Sequence, residues 1–179
     1  MQAKDIKLTI EEFYNLPEGT QAELINGVLY DMAPSPLRIH QEISMVLSAE
    51  IFQYIKSNKG TCKVYTAPFD VKLSDDTVVI PDISVICDKS KLTDKGCTGA
   101  PDWIIEIVSS NALHDYITKL NLYQSYGVKE YWIVDPKKKN VTVFTFGENF
   151  DTDKYNFSDI IPVSIYNGNL KINIDESLK

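Results

Sequence analysis

Apolar residues at Ile39, Ile43, Val46, Leu47, Ile51, Tyr54 and Ile55 recur at intervals of three and four, which predicts one long amphipathic helix ending by Gly60. Before it, Thr9 and Glu12 stand at capping-box spacing ahead of Phe13 and Tyr14, so a short helix is expected there, stopping near Pro17 and Gly19. AELI and VLYDM then flank Asn26-Gly27, whose residues suit the positive φ of a type I′ hairpin turn. Beyond the long helix, KVYTA, FDVKL and VVI read as short strands, with Ser74-Asp75-Asp76 turning the chain between the last two. IPDISVIC continues this sheet. The polar segment from Asp88 to Gly99 shows no period and is expected to be a loop. WIIEIV is a buried strand. A helix follows it, capped by Asn111, striped by Tyr116, Leu120 and Tyr123, and stopped by Gly127. With EYWIVD after it, the three elements form a βαβ-like unit. The chain then turns at Lys137 to Asn140 into VTVFTF, and two more strands, IPVSIY and LKINI, are expected around Asn167-Gly168.

One position breaks the apolar pattern. Glu106 lies inside WIIEIV, and a carboxylate taken out of water needs a cation or a shifted pKa. Asp82 opens the earlier apolar run, and Lys119 lies on the helix after WIIEIV. If the two strands are neighbours with these carboxylates on one face, Asp82 and Glu106 converge and Lys119 can reach them.

Composition narrows what such a cluster could serve. The 179 residues are 44% hydrophobic and suit a single domain, 1–179, with one sizeable core. No apolar run is long enough for a membrane span and no signal peptide is evident, so a cytoplasmic protein is expected. Cys62, Cys87 and Cys97 are odd in number, form no CxxC and have only two histidines for company, so they are expected to be reduced and structural. The net charge of −7 opposes generic duplex binding through an excess of Lys and Arg. Contact with nucleic acid would need a local basic patch, a partner, or a metal that neutralises phosphate. Phosphodiester hydrolysis uses such a metal, and magnesium or manganese prefers the oxygen ligands that Asp82 and Glu106 can supply. A lysine beside them could orient or deprotonate the water, or steady developing negative charge.

The order IPDISVI, PDWIIEIVS, HDYITK and GVKEYWIVDP, with ELINGVLY and PSPLRIHQEI upstream, resembles the Uma-type restriction-endonuclease family of the PD-(D/E)XK nuclease superfamily. The resemblance runs from about Glu11 to Pro136. It implies an α/β fold of restriction-endonuclease type, a mixed central sheet flanked by helices with β-hairpin extensions. It also implies a Mg2+- or Mn2+-dependent endonuclease that hydrolyses DNA, duplex or single-stranded. By the same likeness Asp82 and Glu106 are the metal ligands, the backbone carbonyl of Ile107 is a third oxygen, and Lys119 completes the catalytic set. Glu23 and His40 match further family positions, as a second metal ligand or as contacts that hold the site, and Asp115 is a possible accessory. Two departures stand out. Val108 occupies the superfamily's usual lysine position, for which Lys119 is the match, and SSN after Val108 suggests an entering loop one residue shorter than the family's.

Each residue also has a plainer explanation. Asp82 could terminate a turn, as could Asp102. Lys119 could pair with Asp115 on an exposed helix for a few tenths of a kcal/mol. His40 could cap or pack at a helix start, the Lys137 to Lys139 run could be a solvated hairpin tip, and Tyr123 and Trp132 could be core. The alternative to an enzyme is a catalytically silent nuclease-fold module that binds nucleic acid or a partner in a mobile element or defence system. A homodimer is compatible with either.

Overall fold

The computed structural model describes residues 7–32, 37–109, 112–147 and 150–179, and of 112–117 the backbone only. Helix α1, Ile10–Tyr14, is closed by the Thr9–Glu12 capping box. Strands β1, Ala22–Ile25, and β2, Val28–Asp31, form the expected hairpin, with Asn26 at φ 52° and Gly27 at φ 79°. Helix α2, Arg38–Ser57, buries Ile43, Leu47, Ile51 and Ile55 along one stripe.

Strands β3, Lys63–Thr66, β4, Asp70–Ser74, β5, Thr77–Val79, and β6, Ile83–Ile86, follow. Next come β7, Gly96–Thr98, β8, Trp103–Ile107, helix α3, Ala112–Tyr126, and β9, Glu130–Asp135. Strands β10, Asn140–Thr145, β11, Asp151–Asn156, β12, Ile161–Pro162, and β13, Lys171–Ile172, and helix α4, Ile174–Ser177, complete the chain.

These strands make a six-stranded sheet in the order β11-β10-β9-β8-β6-β3, a five-stranded sheet β2-β1-β5-β4-β7, and the pair β12-β13. In the larger sheet only β8 and β9 run parallel, joined through α3 as the βαβ reading requires. The mixed α/β class is therefore the one expected.

Alternation along β8 divides the interior. Trp103, Ile105 and Ile107 join the core under α2, where Trp103 meets Trp132 edge-on at 4.9 Å between centroids. Ile104 belongs to a second core with Tyr123 and Leu122 of α3 and with Val71 and Val79 of the smaller sheet. Glu106, two residues on, shares that second face. At 1.5–3 kcal/mol for each large apolar side chain buried, these two cores hold the frame on which the charged residues sit.

Several details differ from the sequence reading. The Asp88–Gly99 segment is not wholly loop: it holds a 3-10 turn, Lys89–Lys91, and β7, which runs parallel to β4. Gly96 permits that approach, because a Cβ there would lie 2.0 Å from the Asp70 carbonyl oxygen. Strand β11, DTDKYN, is almost entirely exposed and carries no apolar alternation, and its pairing with β10 is a backbone matter. The segments expected as strands IPVSIY and LKINI shrink to two residues each, and Ser164–Tyr166 forms a 3-10 turn.

The cysteines also differ. Cys62 and Cys87 form a disulfide, contrary to the expectation of reduced thiols, while Cys97 is free and buried. Only strand register reveals the pair: Lys63 opposes Ile86, so the residues flanking them meet across β3 and β6. The cap expected at Asn111 and the side chains of His114, Asp115 and Tyr116 lie outside the described residues. Among the described residues no helix is long and apolar enough to cross a membrane.

The C-terminal extension is tied to the main sheet by Glu130, which is fully buried. Its carboxylate accepts from the Trp132 indole at 2.7 Å and from the Ile165 backbone N–H at 2.9 Å. Glu130→Ala leaves both donors without an acceptor. It should lower stability by about 2–4 kcal/mol in urea titrations, with the loss of the extension's amide protection in hydrogen exchange.

Candidate active site

The register that pairs Ile83 with Ile105 sets Asp82 opposite Glu106 at the end of the β6–β8 pair. Asp82 is fixed by the backbone: its Oδ2 accepts from the Ile107 N–H at 2.7 Å. The same oxygen lies 3.1 Å from Nε2 of His40, which the first turn of α2 carries inward. Burial alone would push the His40 imidazole down. Its hydrogen bond to Asp82 and the charges of Asp82 and Glu106 outweigh this, so its pKa is raised.

Glu106 faces α3. Its Oε1 accepts from Lys119 Nζ at 2.9 Å and from the Tyr123 hydroxyl at 2.8 Å. Lys119 and Tyr123 are one turn apart on α3, hence on one face of the helix. The ammonium also reaches Glu23 Oε1 at 3.0 Å, and that oxygen accepts from the Ile80 N–H at 2.8 Å. Strand β1 of the smaller sheet thus delivers a third carboxylate just ahead of Pro81-Asp82.

Most of this cluster is shielded from water, with Asp82 the most exposed at 20%. The side chains of Glu23, Glu106 and Lys119 are 9%, 12% and 13% exposed. Burial raises the Glu106 pKa, with Asp82 and Glu23 adding to the rise and Lys119 opposing it, and it is pushed up to about 7. Burial would lower the Lys119 pKa, but the charges of Glu106 and Glu23 dominate and hold it well above the ordinary lysine range. Lys119 is therefore held as an ammonium at neutral pH.

Sequence-predicted residues thus meet in one place: Glu23, His40, Asp82, Glu106 and Lys119, with the Ile107 N–H on Asp82. Lys119 turns inward despite Val108, which packs against the core on the α3 side. The side chain of Asp115 lies outside the described residues. Tyr123 was expected in the core and is there, but its hydroxyl adds a contact that an apolar stripe does not announce. Asp102 stays apart. Its carboxylate accepts from the Cys87 N–H at 2.7 Å and pairs with Lys129 at 2.6 Å, a strand-end clasp. Lys138 pairs with Asp135 in the hairpin turn, as a solvated tip would.

A family model described as "Putative restriction endonuclease", Uma2, matches residues 10–167. The chain belongs to this family. A crystal structure of a putative nuclease of the DUF820 family from Anabaena variabilis ATCC 29413 has the same fold. It is 24% identical over 96% of this chain and 97% of that one, with a TM-score of 0.78. A search of curated proteins gives no match.

Asp82 and Glu106 supply the kind of oxygen ligands that could hold a hard divalent cation. With Glu106 ionised, Glu23 and Glu106 share one ammonium, while Asp82 faces the His40 imidazole. Among the described residues no donor reaches Asp82 Oδ1 or Glu106 Oε2. Among the described residues no three Asp, Glu, His or Cys side chains already converge as a complete cage. Magnesium and manganese retain several waters and take one or two carboxylates.

The raised Glu106 pKa has a thermodynamic consequence in the metal-free chain. The folded state holds this proton more tightly than the unfolded one, so the stabilisation is complete below about 4.5 and is lost as pH rises through about 7. In EDTA, wild type should lose stability relative to Glu106→Gln across that interval. Urea unfolding of both proteins at several pH values measures the difference.

Proposed function

We propose that the protein is a metal-dependent endonuclease that hydrolyses DNA phosphodiester bonds, with residues 1–179 acting as one nuclease domain in the cytoplasm. The observation that carries this reading is the convergence of Asp82 and Glu106 across β6 and β8 with the Lys119 ammonium 2.9 Å from Glu106. Membership of a restriction-endonuclease family supports the reaction class.

In this reading Asp82, Glu106 and the Ile107 carbonyl hold Mg2+ or Mn2+, and His40 steadies Asp82. When bound, the ion neutralises phosphate charge and lowers the pKa of an attacking water. Lys119, kept cationic by its two carboxylates, supplies positive charge where the phosphorane-like transition state gathers negative charge. A lysine held cationic in this way suits orientation of the water and charge stabilisation. Glu23 keeps the ammonium from collapsing fully onto Glu106, since the two carboxylates share it at nearly equal distances. Clustered charge in this small site also accommodates the −7 net charge, because local cations rather than a basic surface meet the phosphate.

The test is plasmid and single-stranded DNA cleavage with Mg2+ or Mn2+. Asp82→Asn and Glu106→Gln should fall to background, and Lys119→Met should lose about 10²–10³ in kcat. Metal titration by calorimetry separates the enzyme from the silent module: no binding, together with no cleavage, would assign the chain to the module. A homodimer, checked by light scattering, would provide the two sites that cutting both strands of a duplex requires.

A further inference from the structure

Tyr123 is completely buried, and its ring meets Tyr131 edge-on at 4.9 Å between centroids. A core residue needs no more than that. Its hydroxyl, however, donates to Glu106 Oε1 at 2.8 Å, the oxygen that already accepts from Lys119 at 2.9 Å. The two donors are unlike. Lys119 has a flexible stem and divides its ammonium between Glu106 and Glu23, whereas the phenol is held by a packed ring with no freedom to follow the carboxylate. The last torsion of a glutamate is broad, so one mobile donor leaves the plane of the carboxylate free to swing. Two donors on one oxygen, one of them rigid, remove that freedom.

We propose that Tyr123 is a positioning residue of the site: its hydroxyl pins Glu106 Oε1 against α3, so that Oε2 remains the oxygen presented to a divalent cation. This rests on the endonuclease reading above and adds a role that the metal-ligand and lysine positions do not include. Groups that orient a metal ligand from behind are commonly worth 10- to 100-fold in affinity or activity.

Tyr123→Phe deletes one oxygen and keeps the ring. The Mn2+ dissociation constant, read from the EPR signal of free Mn2+ without DNA, should weaken by about 10-fold. On plasmid DNA at fixed subsaturating Mn2+, kcat should fall by a similar factor with KM for DNA unchanged, and added Mn2+ should recover part of the loss. The melting temperature in EDTA should stay close to wild type. Wild-type Mn2+ affinity and kcat in Tyr123→Phe would overturn the positioning role and leave the endonuclease reading intact. A variant that loses its fold in EDTA would make the hydroxyl a folding contact and overturn it too. If wild type itself neither binds Mn2+ nor cuts, the endonuclease reading fails and this role fails with it.

Discussion

The structure around the site depends on one buried ammonium. Lys119 stands between Glu23 and Glu106, and each partner comes from a different part of the fold: β1 of the smaller sheet, β8 of the larger one, and α3 between them. Without the lysine, two carboxylates would face each other out of water. Breaking a buried pair of this kind costs about 3–5 kcal/mol, because the charge left behind has no partner. The ion pair thus docks two sheets and a helix at the point where chemistry is proposed. Replacing all three by apolar residues could hold the fold equally well, so stability alone does not account for the charges. Their retention in the interior is easier to understand as a requirement of function.

The surrounding residues serve that constraint in different ways. Asp82 and Glu23 are tied to backbone N–H groups of Ile107 and Ile80, which belong to rigid strand ends. Glu106 is instead tied to side chains of a helix. Its protonation therefore depends on burial and on where those side chains lie, and its pKa is pushed up to about 7. Asp82 is held by the sheet and Glu106 by α3, so any displacement of α3 moves one carboxylate relative to the other. The site is as rigid as the packing of that helix against Val128, Tyr131 and Ile133.

Much of this arrangement was legible in the residues, for physical reasons that differ by position. The Asn26-Gly27 turn, the long α2 stripe and the β8-α3-β9 unit follow from local rules of φ, period and capping. Glu106 announced itself because a carboxylate within WIIEIV has few inexpensive places to be. What escaped was non-local. Strand β11 pairs by backbone alone and displays polar residues on both faces. The Cys62–Cys87 bridge follows from register between strands about twenty residues apart, and β7 from a glycine that lets two backbones touch. Glu23 and His40 could be placed only by likeness to a family, since neither carries a local signal of its partner.

Tyr123 shows most clearly where reading by pattern stops. Its position, four residues after Lys119 and in line with Leu120, is that of an ordinary core aromatic, and the core does bury its ring. Hydrophobic periodicity accounts for the ring and is silent about the oxygen. Direction supplies the rest: residues four apart on a helix point the same way, so a lysine that turns inward toward a buried carboxylate takes the hydroxyl one turn later to the same target. Had Lys119 paired outward with Asp115, that hydroxyl would have needed another acceptor, and Glu106 would have lacked both of its donors. The inward lysine and the buried phenol are therefore one structural decision, made by the rotation of α3 about its own axis, and Glu106 is the group that makes that rotation favourable.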